Sequence, residues 1–213
     1  MIRPSVESLH ESGQYQLLES IRLDEMGQFI SKQFAPASSA TVPIGRKILV
    51  LGSLGIAGAV VGYLFGTALI KEANAGWQAL AAVPFSLLIL LPLHEAIHAI
   101  VFRLLGAQKV GFGWEPKGLM VYAYAQKFVL TLRENTRIAL MPFLVLTPAL
   151  LLGIALVPEY RVLLALSLVL HTFACMGDFA LVRYARRNKA RAIYLYDDVE
   201  GEKRSYFFEK ITQ

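Results

Sequence analysis

Apolar residues in this chain gather into four long runs, Ile48 to Ile70, Val83 to Leu105, Ile138 to Val157 and Val162 to Val182. Each has about the 20 residues needed to cross a hydrocarbon core, so the pattern predicts an all-α membrane protein with four transmembrane helices. Glycines at 52, 55, 58, 62 and 66 give the first run the small-residue spacing that lets membrane helices pack closely. Between the second and third runs the pattern changes. Val110-Gly111-Phe112-Gly113-Trp114, Leu119-Met120-Val121-Tyr122-Ala123-Tyr124 and Phe128-Val129-Leu130-Thr131-Leu132 are aromatic and β-branched, and Glu115-Pro116-Lys117-Gly118 breaks them. They predict a small hairpin or sheet at the membrane surface. Ile193 to Tyr196 and Tyr206 to Phe208, joined through Asp197, Asp198, Glu200 and Gly201, predict a second hairpin at the C-terminal end. Val6 to Phe34 scatters Leu9, Leu17, Leu18, Ile21, Met26, Phe29 and Ile30 among charges, which reads as an amphipathic helix, followed by a linker over Ala35 to Thr41.

Three divisions follow: an N-terminal segment and linker over 1–46, a four-helix core over 47–182 with its strand-bearing loop at 106–137, and a basic tail with a hairpin over 183–213. Composition agrees with membrane embedding, since 55% of residues are hydrophobic and only 17% are charged. No short apolar core marks a cleavable signal peptide in the first forty or so residues, which carry Glu7, Glu11, Glu19, Asp24 and Glu25.

Charge then sets orientation. Basic residues crowd the segment before the first run (Arg3, Arg22, Lys32, Arg46, Lys47), the middle loop, and the segment after the fourth run (Arg183 to Arg191). Only Lys71 and Arg161 occupy the other two connections. The positive-inside rule therefore predicts both termini and the middle loop in the cytoplasm of a multi-pass integral protein of a bacterial cell membrane. The net charge of +5 is spent on topology, and Arg183 to Arg191 reads as an anchor beside anionic lipid rather than a nucleic-acid patch. The single cysteine, Cys175, excludes an intramolecular disulfide framework.

Against this background His94-Glu95-Ala96-Ile97-His98 stands out, because ionisable residues at membrane depth are costly and mark function. On a helix the two histidines lie one turn apart on one face and can reach a single metal, while Glu95 can take a proton from a metal-bound water. The bland alternative is a polar patch that bonds neighbouring helices without a metal. A catalytic zinc needs a third protein ligand. His171, Cys175 and Asp178 are available in the fourth run, and Asp178 carries the charge hardest to leave unpaired. Depth supports it: His98 precedes Arg103 by five positions, as Asp178 precedes Arg183. His171, about 10 Å farther along the axis at 1.5 Å per residue, reads as a supporting group or a hydrogen-bond donor to a substrate carbonyl, and Cys175 as a small packing residue.

With His94-Glu95-Ala96-Ile97-His98 in a second membrane helix, a strand-bearing loop, and Gly177-Asp178 in the fourth, the chain resembles the bacterial zincin-peptidase family known as domain of unknown function 3267. More distantly it is similar to site-2 intramembrane metalloproteases. That resemblance implies a zinc-dependent metalloendopeptidase cleaving membrane proteins or peptides near the cytoplasmic side, with His94, His98 and Asp178 on Zn2+ and Glu95 as general base. The site-2 pattern also has an asparagine and a proline upstream of its aspartate; here His171 stands near the asparagine position and the proline is missing. The competing function class is a non-proteolytic metal-binding or regulatory membrane protein that grips transmembrane segments. Two imidazoles and a carboxylate suit several divalent metals, zinc among them.

Overall fold

The computed structural model describes residues 3–35, 74–116 and 120–211. The first predicted span, Ile48 to Ile70, and most of the linker after Ala35 lie outside the described residues. The helices are α1 (Val6–Glu11), α2 (Met26–Phe34), α3 (Ala75–Phe85), α4 (Leu91–Leu104), α5 (Leu132–Leu156), α6 (Arg161–Ala174) and α7 (Met176–Arg187). The strands are β1 (Tyr15–Arg22), β2 (Val110–Glu115), β3 (Met120–Ala125), β4 (Leu130–Thr131), β5 (Ile193–Asp198) and β6 (Arg204–Lys210).

This is not the all-α, four-span protein that the hydrophobic runs predict. Two antiparallel sheets are present, a four-stranded one in the order β1-β6-β5-β4 and the β2-β3 hairpin. Among the described residues two helices, Ala75–Leu104 and Leu132–Leu156, are long and apolar enough to cross a membrane, and a third span exists only if a bent pair is taken as one. That pair is Pro158–Ala174 and Met176–Arg187, which meet at 43°. A run of apolar residues records solvent preference, and it is blind to a bend within it.

The first of these helices is one rod with a widened turn. Pro92 has no N–H, and its ring crowds the carbonyl of Leu88 one turn earlier, so the backbone opens into a π-helical segment over Ser86–Leu90. Its flanks carry exposed Leu80 and Leu104, each 80% accessible, as a lipid-facing surface would. α5 begins six residues before its predicted start because Thr131 and Glu134 form a reciprocal capping box there. The start of α6 is held from outside. Gln78, fully buried on α3, donates from its amide to the Glu159 carbonyl at 2.7 Å and accepts from the Leu163 N–H at 3.1 Å. It thereby satisfies an N–H that the first turn of a helix leaves without a partner.

The N-terminal segment is corrected as well. Tyr15–Arg22 is a strand on the outer edge of the large sheet, paired antiparallel with β6 from Tyr15 opposite Lys210 to Arg22 opposite Arg204. The sheet has two covered faces. Phe207 and Leu195 pack against Val101 and Phe102 of α4, Ile138 of α5 and Tyr184 of α7, whereas Tyr206, Phe208 and Tyr196 pack against Leu9 of α1. Burial on both sides explains why β6 reads as the unbroken run Tyr206-Phe207-Phe208 rather than an alternating one. At the other edge β4 passes directly into α5. In the small hairpin, the rings of Tyr124 and Tyr122 lie over Gly111 and Gly113, and a Cβ at Gly113 would meet the Tyr122 ring at 2.4 Å.

Gln78→Leu should strip the partner from one buried N–H, at about 1–3 kcal/mol, and from one partly buried C=O, at less. The expected result is a clear fall in the unfolding midpoint of the detergent-solubilised protein, with little change for Gln78→Glu at a pH where the glutamate is neutral. Thermal unfolding followed by circular dichroism measures it.

Candidate metal centre

Helix α4 carries His94 and His98 at i and i+4, and both rings turn inward, 4% and 8% exposed. Their Nε2 atoms lie 3.1 Å apart. Asp178 reaches them from the first turn of α7, with Oδ2 at 3.1 Å from His94 Nε2 and Oδ1 at 3.3 Å from His98 Nε2. The sequence-predicted trio thus converges at one point, and the bend between α6 and α7 is what aims the first turn of α7 there. Glu95, 6% exposed, leaves this cluster sideways: its Oε2 accepts a 2.6 Å hydrogen bond from the backbone N–H of Ala123 in β3.

The donor chemistry tests whether a metal fits. His98 Nδ1 lies 3.0 Å from the carbonyl oxygen of Ile138 on α5. A carbonyl only accepts, so Nδ1 carries the proton and the lone pair of the neutral ring sits on Nε2. That lone pair faces a carboxylate oxygen at 3.3 Å, an arrangement of two acceptors that calls for a cation or a proton between them. Ligand atoms about 2.0–2.1 Å from a tetrahedral zinc lie roughly 3.3 Å from one another. The three separations of 3.1, 3.1 and 3.3 Å match that spacing, so the residues present fit a zinc ion.

His171 does not stay as remote as an unbent helix would put it. Its ring centroid is 5.7 Å from that of His94, and the Cys175 sulfur lies 3.7 Å from its Nε2 and 4.0 Å from His94 Nδ1. His94, His171 and Cys175 are a second set of metal-capable donors within 4.8 Å of one another, beside that of His94, Glu95 and His98. All three residues of that second set are buried.

A cavity of about 200 Å³ opens on the sheet side of the centre, lined among others by Glu95, Tyr122, Asn135, Asp178 and Asp197. A second, of about 310 Å³, reaches His94, Glu95 and His171 from the side of Val83 and Leu87. Sequence reasoning missed the Ile138 carbonyl and the Ala123 N–H, because backbone groups have no residue-type signature. Asn135, 8% exposed, also escapes it, since the apolar pattern starts the run three residues later at Ile138.

Fold and site together define a protein with a helix-borne His-Glu-x-x-His cluster, a carboxylate from a second helix, and apolar helices of membrane-spanning length. Residues 87–193 match the model of the family described as "putative zincin peptidase", domain of unknown function 3267, and the chain belongs to that family. The match spans the His94 to His98 helix, the small hairpin and Asp178. No curated protein and no solved structure matches the chain significantly.

At the cavity's edge, loss of water lifts the Asp197 carboxyl above its ordinary value of 3.8, against the lowering effect of the Ser205 hydroxyl that donates to it. A raised carboxyl favours the folded state below its unfolded value, and that contribution disappears as pH rises through the folded value. Asp197→Asn should therefore flatten the decline in stability above about pH 4 and make the protein more stable at neutral pH, as read from unfolding midpoints across a pH series.

Proposed function

We propose that this protein is a membrane-embedded zinc endopeptidase acting on membrane proteins or peptides. The supporting observation is the convergence of His94 Nε2, His98 Nε2 and the Asp178 carboxylate at 3.1–3.3 Å with Glu95 beside them. In this reading those three side chains hold the metal. Bound zinc supplies Lewis-acid polarisation of the scissile carbonyl and brings the pKa of a water down to about 7.

The protein's own groups do the rest. The Ile138 carbonyl fixes the His98 ring and its tautomer. The Ala123 N–H ties down one oxygen of Glu95 and leaves the other to accept a proton from the attacking water and pass it to the leaving amine. The Asn135 amide and the His171 ring border the cavities on either side and offer donors to a substrate carbonyl.

A transmembrane substrate hides its peptide bonds in a helix and must open locally before attack. The Gln126 N–H donates toward β2, to Lys109, so by strand alternation the Val121 N–H points away from β2, as does the Ala123 N–H that holds Glu95. That outer edge of β3 borders the cavity and supports capture of an opened segment as an added strand. The excess of Lys and Arg in the middle loop and near both ends supports a cytoplasmic position for this edge and for the cut.

Purified protein should contain about one zinc per chain under this reading. His98→Ala and Asp178→Asn should each lose it, and zinc content indifferent to both would sink the proposal. Glu95→Gln should keep the metal while cleavage of a reconstituted single-span substrate falls by about 10²–10⁴. Retained zinc with no Glu95-dependent cleavage of any substrate tried would favour a metal-binding protein without proteolysis.

A further inference from the structure

The two histidines of α4 are not supported alike. His98 Nδ1 has the Ile138 carbonyl, the oxygen acceptor that a metal-binding imidazole ordinarily has behind it. His94 Nδ1 instead faces the Cys175 sulfur at 4.0 Å. The same sulfur is the only hydrogen-bonding partner of the His171 ring among the described residues, at 3.7 Å from Nε2 and 3.9 Å from Nδ1. Cys175 is 0% exposed and His171 3%, so neither ring nitrogen nor thiol is satisfied by bulk water.

A thiolate sulfur and an imidazole nitrogen on one metal lie roughly 3.6 Å apart, close to the spacing seen here. We propose that His171, Cys175 and His94 Nδ1 form a second metal site, selective for a soft monovalent cation such as Cu(I), whose filling excludes zinc from the neighbouring centre.

Softness follows from the sulfur, which with imidazole suits Cu(I). Charge selects the monovalent ion. Cu(I) displaces the thiol proton, forming a Cu–S bond and releasing one proton to solvent, and leaves a complex of zero net charge with two neutral imidazoles. A divalent ion in the same place would keep one positive charge that none of its three donors cancels. The cavity beside Val83 and Leu87 reaches His171 and His94 and supplies a path.

Exclusion follows from the tautomer of His94. A neutral imidazole has one lone pair. When Nδ1 gives it to copper, Nε2 carries the proton, donates to Asp178 Oδ2 at 3.1 Å, and cannot ligate zinc. When Nε2 gives it to zinc, Nδ1 carries the proton and points at sulfur. The exclusion rests on the zinc reading above, whereas the copper site itself does not.

The test uses the full-length, zinc-loaded protein in detergent under anaerobic conditions, with cuprous ion added as its acetonitrile complex. One Cu(I) per chain should bind with an ultraviolet thiolate-to-copper charge-transfer band, and zinc should be released in step. Cys175→Ser and His171→Ala should keep their zinc, which reports a folded protein, and weaken copper binding by about tenfold or more. His98→Ala should lose zinc and retain the copper band. Absence of the band, or a band unchanged in His171→Ala, overturns the second site. Copper bound with zinc fully retained overturns the exclusion. A protein that never holds zinc yet shows the Cys175-dependent band sinks the peptidase reading and leaves the copper site standing.

Discussion

An ionised carboxylate between apolar helices must be compensated, and the placement of Asp178 answers to that constraint more than to any packing preference. Its two oxygens each meet an imidazole nitrogen, and both imidazoles come from one turn of α4. The pairing ties α7 to α4 at a single depth and makes the bend at Cys175 part of the site's construction, because that bend gives Asp178 a first-turn position from which to reach across.

The sheets make that convergence rigid. The large sheet packs Phe207 and Leu195 onto Val101 and Phe102, one turn beyond His98 on α4, and onto Ile138, the residue whose carbonyl orients His98. Its edge strand β4 runs straight into α5 through a capping box, so the register of the sheet sets the height of Ile138. The small hairpin has a parallel role for Glu95: Tyr122 and Tyr124 close over Gly113 and Gly111, which stiffens β3, and β3 presents the Ala123 N–H to the carboxylate. His98 and Glu95 are thereby each oriented by a backbone group from a different element.

How much of this the sequence showed divides along the distance between partners in the chain. The facing of His94 and His98 depends on a spacing of four, which helix geometry decides locally. Asp178 could be matched to them because the basic flanks Arg103 and Arg183 act as depth markers. The β1–β6 pairing joins Tyr15–Arg22 to Arg204–Lys210, and the first strand mixes Leu17, Leu18, Glu19 and Ser20 with no clean period of two, so it looked like amphipathic helix. A bend needs no proline to occur, and Met176 follows Cys175 in an unbroken apolar run, so nothing marked the break. The nearness of His171 to His94 was lost with it.

Electroneutrality ties the geometry to the chemistry. A divalent ion held by two neutral imidazoles and Asp178 has one positive charge left over, and Glu95, buried within the same turn of α4, supplies the negative charge that cancels it. In the proposed reaction, protonating Glu95 would unbalance the pair by one unit inside a low-dielectric surround, which favours prompt delivery of that proton to the leaving amine. The Ala123 N–H moderates the imbalance by stabilising the charged form of Glu95 at rest. The same reasoning separates the two donor sets around His94. One carries two carboxylates and balances a divalent ion, and the other carries one ionisable thiol and balances a monovalent one, so the charge of the ion decides which face of a single imidazole it can use.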